Sequence, residues 1–219
     1  MTDPVLPGSE SWWKRLGHRL LPPPQLSEVP HAFAPERPGD HALNPGAGPI
    51  APAALTPAAV LVPLVALDDG VRVLLTRRTD RLSHHSGQIS FPGGRVDEGD
   101  GDLVACALRE AEEEIGLDRR FVRVLGALDC YITVTGFAVT PLVAAVTPGF
   151  RLRIDPAEVA EAFEVPLEFL LDPANHVRHG GVFNGVQRYW WAMPYGDYYI
   201  WGATAGMLRN LHERLTGKG

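Results

Sequence analysis

Four glutamates fall within five residues near the middle of the chain, at Glu110, Glu112, Glu113 and Glu114. On a helical wheel at about 100° per residue, Glu110, Glu113 and Glu114 share one arc, while Glu112 turns toward solvent. Like charges at this spacing repel one another, and the repulsion grows when water is partly excluded. A divalent cation would relieve it, and carboxylate ligands without His or Cys favour Mg²⁺ or Mn²⁺ over Zn²⁺.

A glycine-rich acidic loop, FPGGRVDEGDGD at residues 91–102, leads into the glutamates. Gly93 and Gly94 allow the backbone to approach a ligand closely. The loop is not a P-loop, because no Gly-Lys-Ser/Thr follows, and no glutamate stands where an EF-hand starting at Asp97 or Asp100 would need one. The pattern predicts another kind of cation–phosphate site, and a solvated acidic helix face is the alternative.

The glutamates need a helix to hold them. One is predicted over residues 102–115, with Asp102 as the N-cap and Gly116 as the C′ residue. Its predicted core-facing stripe is Val104, Ala107, Leu108, Ala111 and Ile115. The rest of the chain from about residue 55 indicates mixed α and β structure. We expect strands at 58–67, 71–76, 121–132 and 137–146, a hairpin within 182–193 and a final helix over 204–215.

Residues 1–52 are crowded with proline and are predicted to be an extension of a domain that spans 53–219. Within the extension, the segment SWWKRLGHRLL at 11–21 indicates a short amphipathic helix that packs on the domain, with Ser11 as a candidate N-cap.

Composition excludes several classes of protein. The 219 residues are 45% hydrophobic, enough for a core, and carry a net charge of −6, which argues against a nucleic-acid partner or a membrane-surface binder. The two cysteines form no CxxC pair, and no segment resembles a membrane span or a signal peptide, so a cytoplasmic location is expected. The sequence gives no indication of oligomeric state.

Residues 94–117 resemble the Nudix box, G-x5-E-x7-R-E-U-x-E-E-x-G-U, in which U is a bulky aliphatic residue. The segment REAEEEIGL at 109–117 matches the second half position by position, except that Ala111 is small for U. The first half departs from the pattern. Counted back from Arg109, the pattern places its glutamate at position 101, which is Gly101 in this chain. The acidic residue here is Asp100, one position earlier.

The preceding segment, residues 74–94, resembles the subgroup of Nudix hydrolases that cleave coenzyme A. That subgroup carries L-L-T-x-R-S-x-x-L-R-x-H-x-G-Q running into F-P-G-G. Here Arg78, Leu82, His85, Gly87, Gln88 and the FPGG match, Thr79 replaces Ser, and Ser83 stands in place of Arg. The resemblance covers about residues 58–215.

The resemblance implies the Nudix fold, an α+β fold in which a mixed sheet lies between helices as an α/β/α sandwich. It also implies hydrolysis of CoA or acyl-CoA to 3′,5′-ADP and 4′-phosphopantetheine or its acyl form, with Mg²⁺ or Mn²⁺ as cofactor. Two other readings stay open. One is a Nudix diphosphatase for ADP-ribose or another nucleoside diphosphate derivative, and the other is a catalytically silent Nudix-like binding module.

Roles carry over from the family onto the matching residues. Glu110, Glu113 and Glu114 would bind the metal, and Arg109 would orient these carboxylates. The general base stays open among Glu113, Glu158 and Glu161. The predicted substrate contacts, which include a basic patch for the 3′-phosphate of CoA, are Arg77, Arg78, Arg81, His85, Gln88, Gly93 and Gly94.

Overall fold

The computed structural model describes residues 7–30, 36–44, 54–80, 87–183 and 185–217. An eight-stranded sheet forms its centre. The strands are β1 (Thr56–Leu67), β2 (Gly70–Arg78), β3 (Ile89–Ser90), β4 (Gly93–Arg95), β5 (Val122–Ala127), β6 (Tyr131–Ile132), β7 (Phe137–Val146) and β8 (Val159–Pro166). The main order is β3-β2-β1-β7-β5, with β4 on β1, β6 on β7 and β8 on β2. Since β1 and β7 run parallel and the other pairs antiparallel, the predicted mixed sheet is confirmed.

Helices cover both faces of this sheet, as predicted. Helix α2 (Leu103–Ile115) buries Ala107 and Ile115 against one face, in a core shared with Leu61 of β1. The other face packs against α1 (Glu10–Gly17), α3 (Leu167–Leu171) and α4 (Ala203–Thr216). No helix in the described part of the chain has the length and apolar character needed to cross a membrane.

A separate three-stranded antiparallel sheet precedes α4. It consists of β9 (Val177–Phe183), β10 (Val186–Tyr195) and β11 (Tyr198–Trp201), in the order β11-β10-β9. The predicted hairpin is therefore present, although its first strand begins five residues before position 182. Gly185 adopts a positive φ of 77° at the turn, as a hairpin turn requires, and the predicted turn residue at 184 lies outside the described residues.

The described parts of the proline-rich extension pack on the domain. The predicted short helix exists as α1, but its N-cap is Ser9 rather than Ser11, because the Ser9 hydroxyl accepts from the Trp12 N–H at 3.3 Å. Further on, Leu21 exchanges two backbone hydrogen bonds with Ala127 at the end of β5. The domain boundary between residues 52 and 53 stays a prediction.

Two strand predictions were wrong in detail. The single strand expected over 121–132 is divided into β5 and β6, because the chain leaves the ladder at 128–130 and the Asp129 carboxylate accepts hydrogen bonds from Asn210 and Arg214 of α4. Strand β8 was not expected at all. The sequence singled out only its acidic residues, as candidate bases, but the segment pairs with residues 72–78 of β2.

Candidate active site

Helix α2 has the predicted ends. The Asp102 carboxylate accepts from the Ala105 N–H at 2.7 Å, and Gly116 closes the helix in the left-handed conformation with φ of 66°. Its buried face is rotated from the predicted stripe. Cys106 and Glu114 are buried, whereas Val104 and Leu108 are only half-buried. A hydrophobicity pattern places an acid outside the core and so misses a glutamate that faces a neighbouring loop.

Glu114 is a carboxylate enclosed by protein. Its side chain is 4% exposed; one oxygen accepts from the Gly93 N–H at 3.1 Å, and the other lies 3.5 Å from Nη1 of Arg78. Burial raises the pKa of Glu114 to about 7, and the Gly93 hydrogen bond and the Arg78 charge offset part of that effect. A buried carboxylate with so little compensation would be stabilised by a nearby cation.

The two glycines of the FPGG segment lie against the neighbouring backbone and a carboxylate. A Cβ at Gly94 would lie 2.5 Å from Oε1 of Glu110, and a Cβ at Gly93 would lie 2.5 Å from the Ala59 carbonyl oxygen. Gly93 also has a φ of 150°, which side-chain-bearing residues rarely adopt. Gly93 therefore has to be glycine for this loop to lie over Glu114, whereas a side chain at Gly94 would displace the Glu110 carboxylate.

Arg109 holds three carboxylates at once. Its guanidinium donates to Asp100 from Nε at 2.9 Å and from Nη2 at 2.8 Å, and Nη1 donates to Glu110 and to Glu113 at 2.9 Å each. This geometry is the one expected of a residue that orients carboxylates. It also accounts for the departure in the first half of the Nudix box, since the displaced Asp100 still reaches the arginine that follows it.

Asp100 is 4% exposed at its side chain, and the Arg109 hydrogen bonds lower its pKa to about 2. Its ordinary value is 3.8, so ionised Asp100 stabilises the fold fully above about pH 4, and this stabilisation is lost as the pH falls through about 2. We expect Asp100→Asn to lower the free energy of unfolding by about 2 kcal/mol at pH 7, with the deficit shrinking below pH 4.

Urea denaturation across this pH range measures the effect. Asp97→Asn is the matched control, because the Asp97 carboxylate is 58% exposed and its nearest Arg109 nitrogen is 3.8 Å away. A deficit of the same size in both variants, or one that does not change with pH, would contradict the role assigned to Asp100.

The two distal glutamates proposed as bases occupy different surroundings. Glu161 accepts from Nε of Arg77 at 2.6 Å and lies 3.5 Å from the Tyr198 hydroxyl. Glu158 lies close enough to α2 for its charge to contribute to the raised pKa values of Glu110 and Glu114, both of which are raised chiefly by burial. An irregularity in the pairing of β8 with β2, between Arg77 and Arg78, separates the two glutamates.

The remaining glutamates of α2 point outward. Glu113 is 62% exposed, and Glu112 pairs with Arg119 away from the site, as the helical wheel predicts. Within the described residues, no three His, Cys, Asp or Glu side chains are already arranged as metal ligands. Glu110 and Glu113 are turned to Arg109, while Glu114 faces Gly93 and Arg78. The donor set nevertheless suits Mg²⁺ or Mn²⁺, because it offers only carboxylate oxygens and one of them is buried.

A cleft of about 510 Å³ adjoins these carboxylates. Three of the predicted substrate residues line it, namely Arg78, Gln88 and Gly93. Gly94 lies on Glu110, Arg77 is paired with Glu161, and Arg81 and His85 lie outside the described residues. Most of the wall is apolar or aromatic, and it includes Ile89, Phe91, Val139, Trp190, Trp201 and Met207.

Part of the cleft wall was not predicted. The extension contributes Asp40, His41 and Asn44, and β10 contributes Arg188. Asn44 acts like a strand residue: its amide nitrogen donates to the Tyr189 carbonyl at 2.9 Å, and its amide oxygen accepts from the Tyr189 N–H at 2.8 Å. The sequence does carry one signal here, the aromatic residues between 190 and 201, of which Trp190 and Trp201 line the cleft.

The chain is similar to known proteins over most of its length. The NUDIX domain family matches residues 55–184. A Citrobacter koseri protein with the name "Uncharacterized Nudix hydrolase NudL" is 41% identical over 154 residues, which cover 70% of this chain and 80% of the relative. A Photorhabdus laumondii protein of the same name is 40% identical over 162 residues, covering 72% and 84%. Among solved structures, the MutT protein of Methanosarcina mazei is 18% identical, with a TM-score of 0.44, over 84% of this chain and 96% of its own.

Proposed function

Since the chain belongs to the Nudix hydrolase family, whose members act on diphosphate bonds, we propose that it hydrolyses the diphosphate of CoA or acyl-CoA. The products would be 3′,5′-ADP and 4′-phosphopantetheine or its acyl form. The proposed cofactor is Mg²⁺ or Mn²⁺.

One observation carries the proposal. Gly93 and Arg78 line the cleft, and the same two residues contact the buried carboxylate of Glu114. A diphosphate bound in the cleft beside them would therefore lie next to the carboxylates of α2. The CoA assignment rests on the resemblance of residues 74–94, and Arg78 and Gln88 of that segment line the cleft.

The proposed roles of the individual residues are as follows. A bound divalent cation would neutralise charge on the diphosphate oxygens. Glu110 and Glu114 are the ligands that we assign to it, with Glu113 as a third. Arg109 holds Glu110 and Glu113 in place, and it stays on the carboxylates rather than on the substrate. Arg78 is placed to donate to a diphosphate oxygen.

Glu158 is the general base that we favour, because its charge acts on Glu110 and Glu114, whereas Glu161 is bound by Arg77. It would accept a proton from the attacking water. We expect Glu158→Gln to lower kcat about 100-fold and Glu161→Gln to lower it less than about 3-fold. Initial rates at saturating Mg²⁺ test this. A larger loss in Glu161→Gln than in Glu158→Gln would assign the base to Glu161. A loss of about 100-fold in Glu113→Gln alone would assign it to Glu113.

A substrate panel tests the proposed function. Purified protein with Mg²⁺ would be given CoA, 3′-dephospho-CoA and ADP-ribose, and products would be identified by mass. We expect CoA to be cleaved fastest, with 3′,5′-ADP as a product. Faster cleavage of ADP-ribose, together with indifference to the 3′-phosphate, would overturn the CoA assignment. A folded protein that cleaves none of the three would be a binding module.

A further inference from the structure

Arg188 on β10 is a cation without a partner in the described part of the chain. It is half-buried and lines the cleft, yet its guanidinium makes no hydrogen bond or ion pair with any described residue. The two predicted substrate arginines that the structure describes differ in this respect, since Arg77 is paired with Glu161 and Arg78 lies beside Glu114. Of the two arginines that line the cleft in the described part of the chain, Arg188 is therefore the one with no carboxylate beside it.

The surroundings of Arg188 favour an anionic ligand. Ile89, Phe91 and Trp201 share the cleft with it. The one carboxylate among the described lining residues, Asp40, already accepts from the Tyr131 hydroxyl and the Val134 N–H. An unpaired guanidinium held against apolar surface has lost part of its hydration without gaining a partner, and a phosphate can restore two hydrogen bonds to it in one plane.

The backbone beside Arg188 is fixed from two sides. Asn44 binds both backbone groups of Tyr189, the next residue, and Arg188 itself pairs with Gly181 of β9. Arg188 thus stands on a well-anchored strand, and a ligand would not have to order the backbone that carries it.

We propose that Arg188 binds a phosphate monoester of the substrate that lies outside the diphosphate, which in CoA is the 3′-phosphate. This inference rests on the proposed function and refines it, because it assigns recognition of the 3′-phosphate to β10 rather than to Arg77 and Arg78. Arg188 is then a specificity-determining residue with no part in the cleavage step.

Binding of two nucleotides tests the inference without turnover. Calorimetric titration with 3′,5′-ADP and with 5′-AMP would compare wild type, Arg188→Met and Arg178→Met. Arg178 is the matched control, because it lies on the same sheet, stacks over the Tyr189 ring at 4.1 Å and is not part of the cleft wall. We expect wild type and Arg178→Met to bind 3′,5′-ADP at least about 10-fold more tightly than 5′-AMP, and Arg188→Met to lose that preference. Arg188→Lys should keep part of it.

A preference that survives in Arg188→Met, or one absent from wild type, would overturn the inference. So would an equal loss of affinity for both nucleotides, since that result means a general effect on the cleft. The same proteins assayed with CoA separate the two proposals. If wild type cleaves CoA and Arg188→Met keeps the wild-type ratio of KM for CoA and 3′-dephospho-CoA, only the inference fails. If wild type cleaves no CoA yet its nucleotide preference depends on Arg188, the proposed function fails and the phosphate site stands.

Discussion

Replacing Glu114 with glutamine is expected to lower kcat with Mg²⁺ by about 1,000-fold, the largest effect on activity that we predict. The amide keeps the size of the side chain and still offers an oxygen to the Gly93 N–H, but it removes the negative charge that a cation needs. Initial rates of CoA cleavage over a range of Mg²⁺ concentrations measure the effect. Because one proposed metal ligand is lost, the Mg²⁺ concentration for half-maximal activity should also rise.

Glu112→Gln is the matched control on the same helix, because Glu112 pairs with Arg119 and faces away from the site. It should retain wild-type activity. Loss of folding cannot explain the expected result for Glu114→Gln. The folded-state pKa of Glu114, about 7, lies above its ordinary 4.5, so ionisation destabilises the folded protein as the pH rises through 7. Without bound metal, Glu114→Gln should be at least as stable as wild type at pH 8. Unchanged turnover in this variant would remove Glu114 from the metal site.

Replacing Arg109 with methionine is expected to give the largest loss of stability, about 3 kcal/mol in the free energy of unfolding at pH 7. Methionine keeps much of the apolar stem but leaves Asp100, Glu110 and Glu113 without the cation that now binds all three. For a chain of this length, the melting temperature should fall by roughly 6–12 °C. Urea denaturation and thermal melts followed by circular dichroism measure both quantities.

Arg119→Met supplies the comparison for that loss. Arg119 also pairs with a glutamate of α2, but its side chain is 54% exposed and its partner is Glu112 alone. We expect a change of less than about 1 kcal/mol. If the two arginine variants lost the same stability, the cluster around Arg109 would be an ordinary surface ion pair. Added Mg²⁺ that restored stability to Arg109→Met would instead support the cluster as a cation site.

Much of the site's scaffold could be predicted from local sequence. The caps of α2 and the outward turn of Glu112 follow from residue types within a few positions of one another. The glycine-rich loop that leads into α2 was also recognised, although Gly94 was predicted as a substrate contact and the structure places it on Glu110. These are short-range constraints, and a sequence pattern states them directly.

The burial of Glu114 and the separation of Glu158 from Glu161 could not be predicted in this way. Burial of Glu114 depends on where Gly93 and Arg78 arrive from other strands. The two distal glutamates are distinguished by an irregularity in strand pairing, which depends on the partner strand β2. The sequence left both as candidate bases and gave no means of choosing between them.

The residues of the cleft wall could not be predicted from local sequence either. Asn44 lies 145 residues from Tyr189 in the chain, and its side chain pairs with the backbone of β10. Nothing in the residues around position 44 signals that pairing. The sequence also gives no reason to single out Arg188, because its lack of a partner among the described residues is visible only in the folded structure.

The most direct test of the metal site is anomalous diffraction from crystals of the protein soaked in Mn²⁺. The account predicts a manganese peak within ligand distance of the Glu110 and Glu114 carboxylates, next to the Gly93 backbone. Arg109 should still be bound to Asp100. Manganese peaks that occur only elsewhere, with both carboxylates still engaged by Arg109 and Arg78, would contradict it.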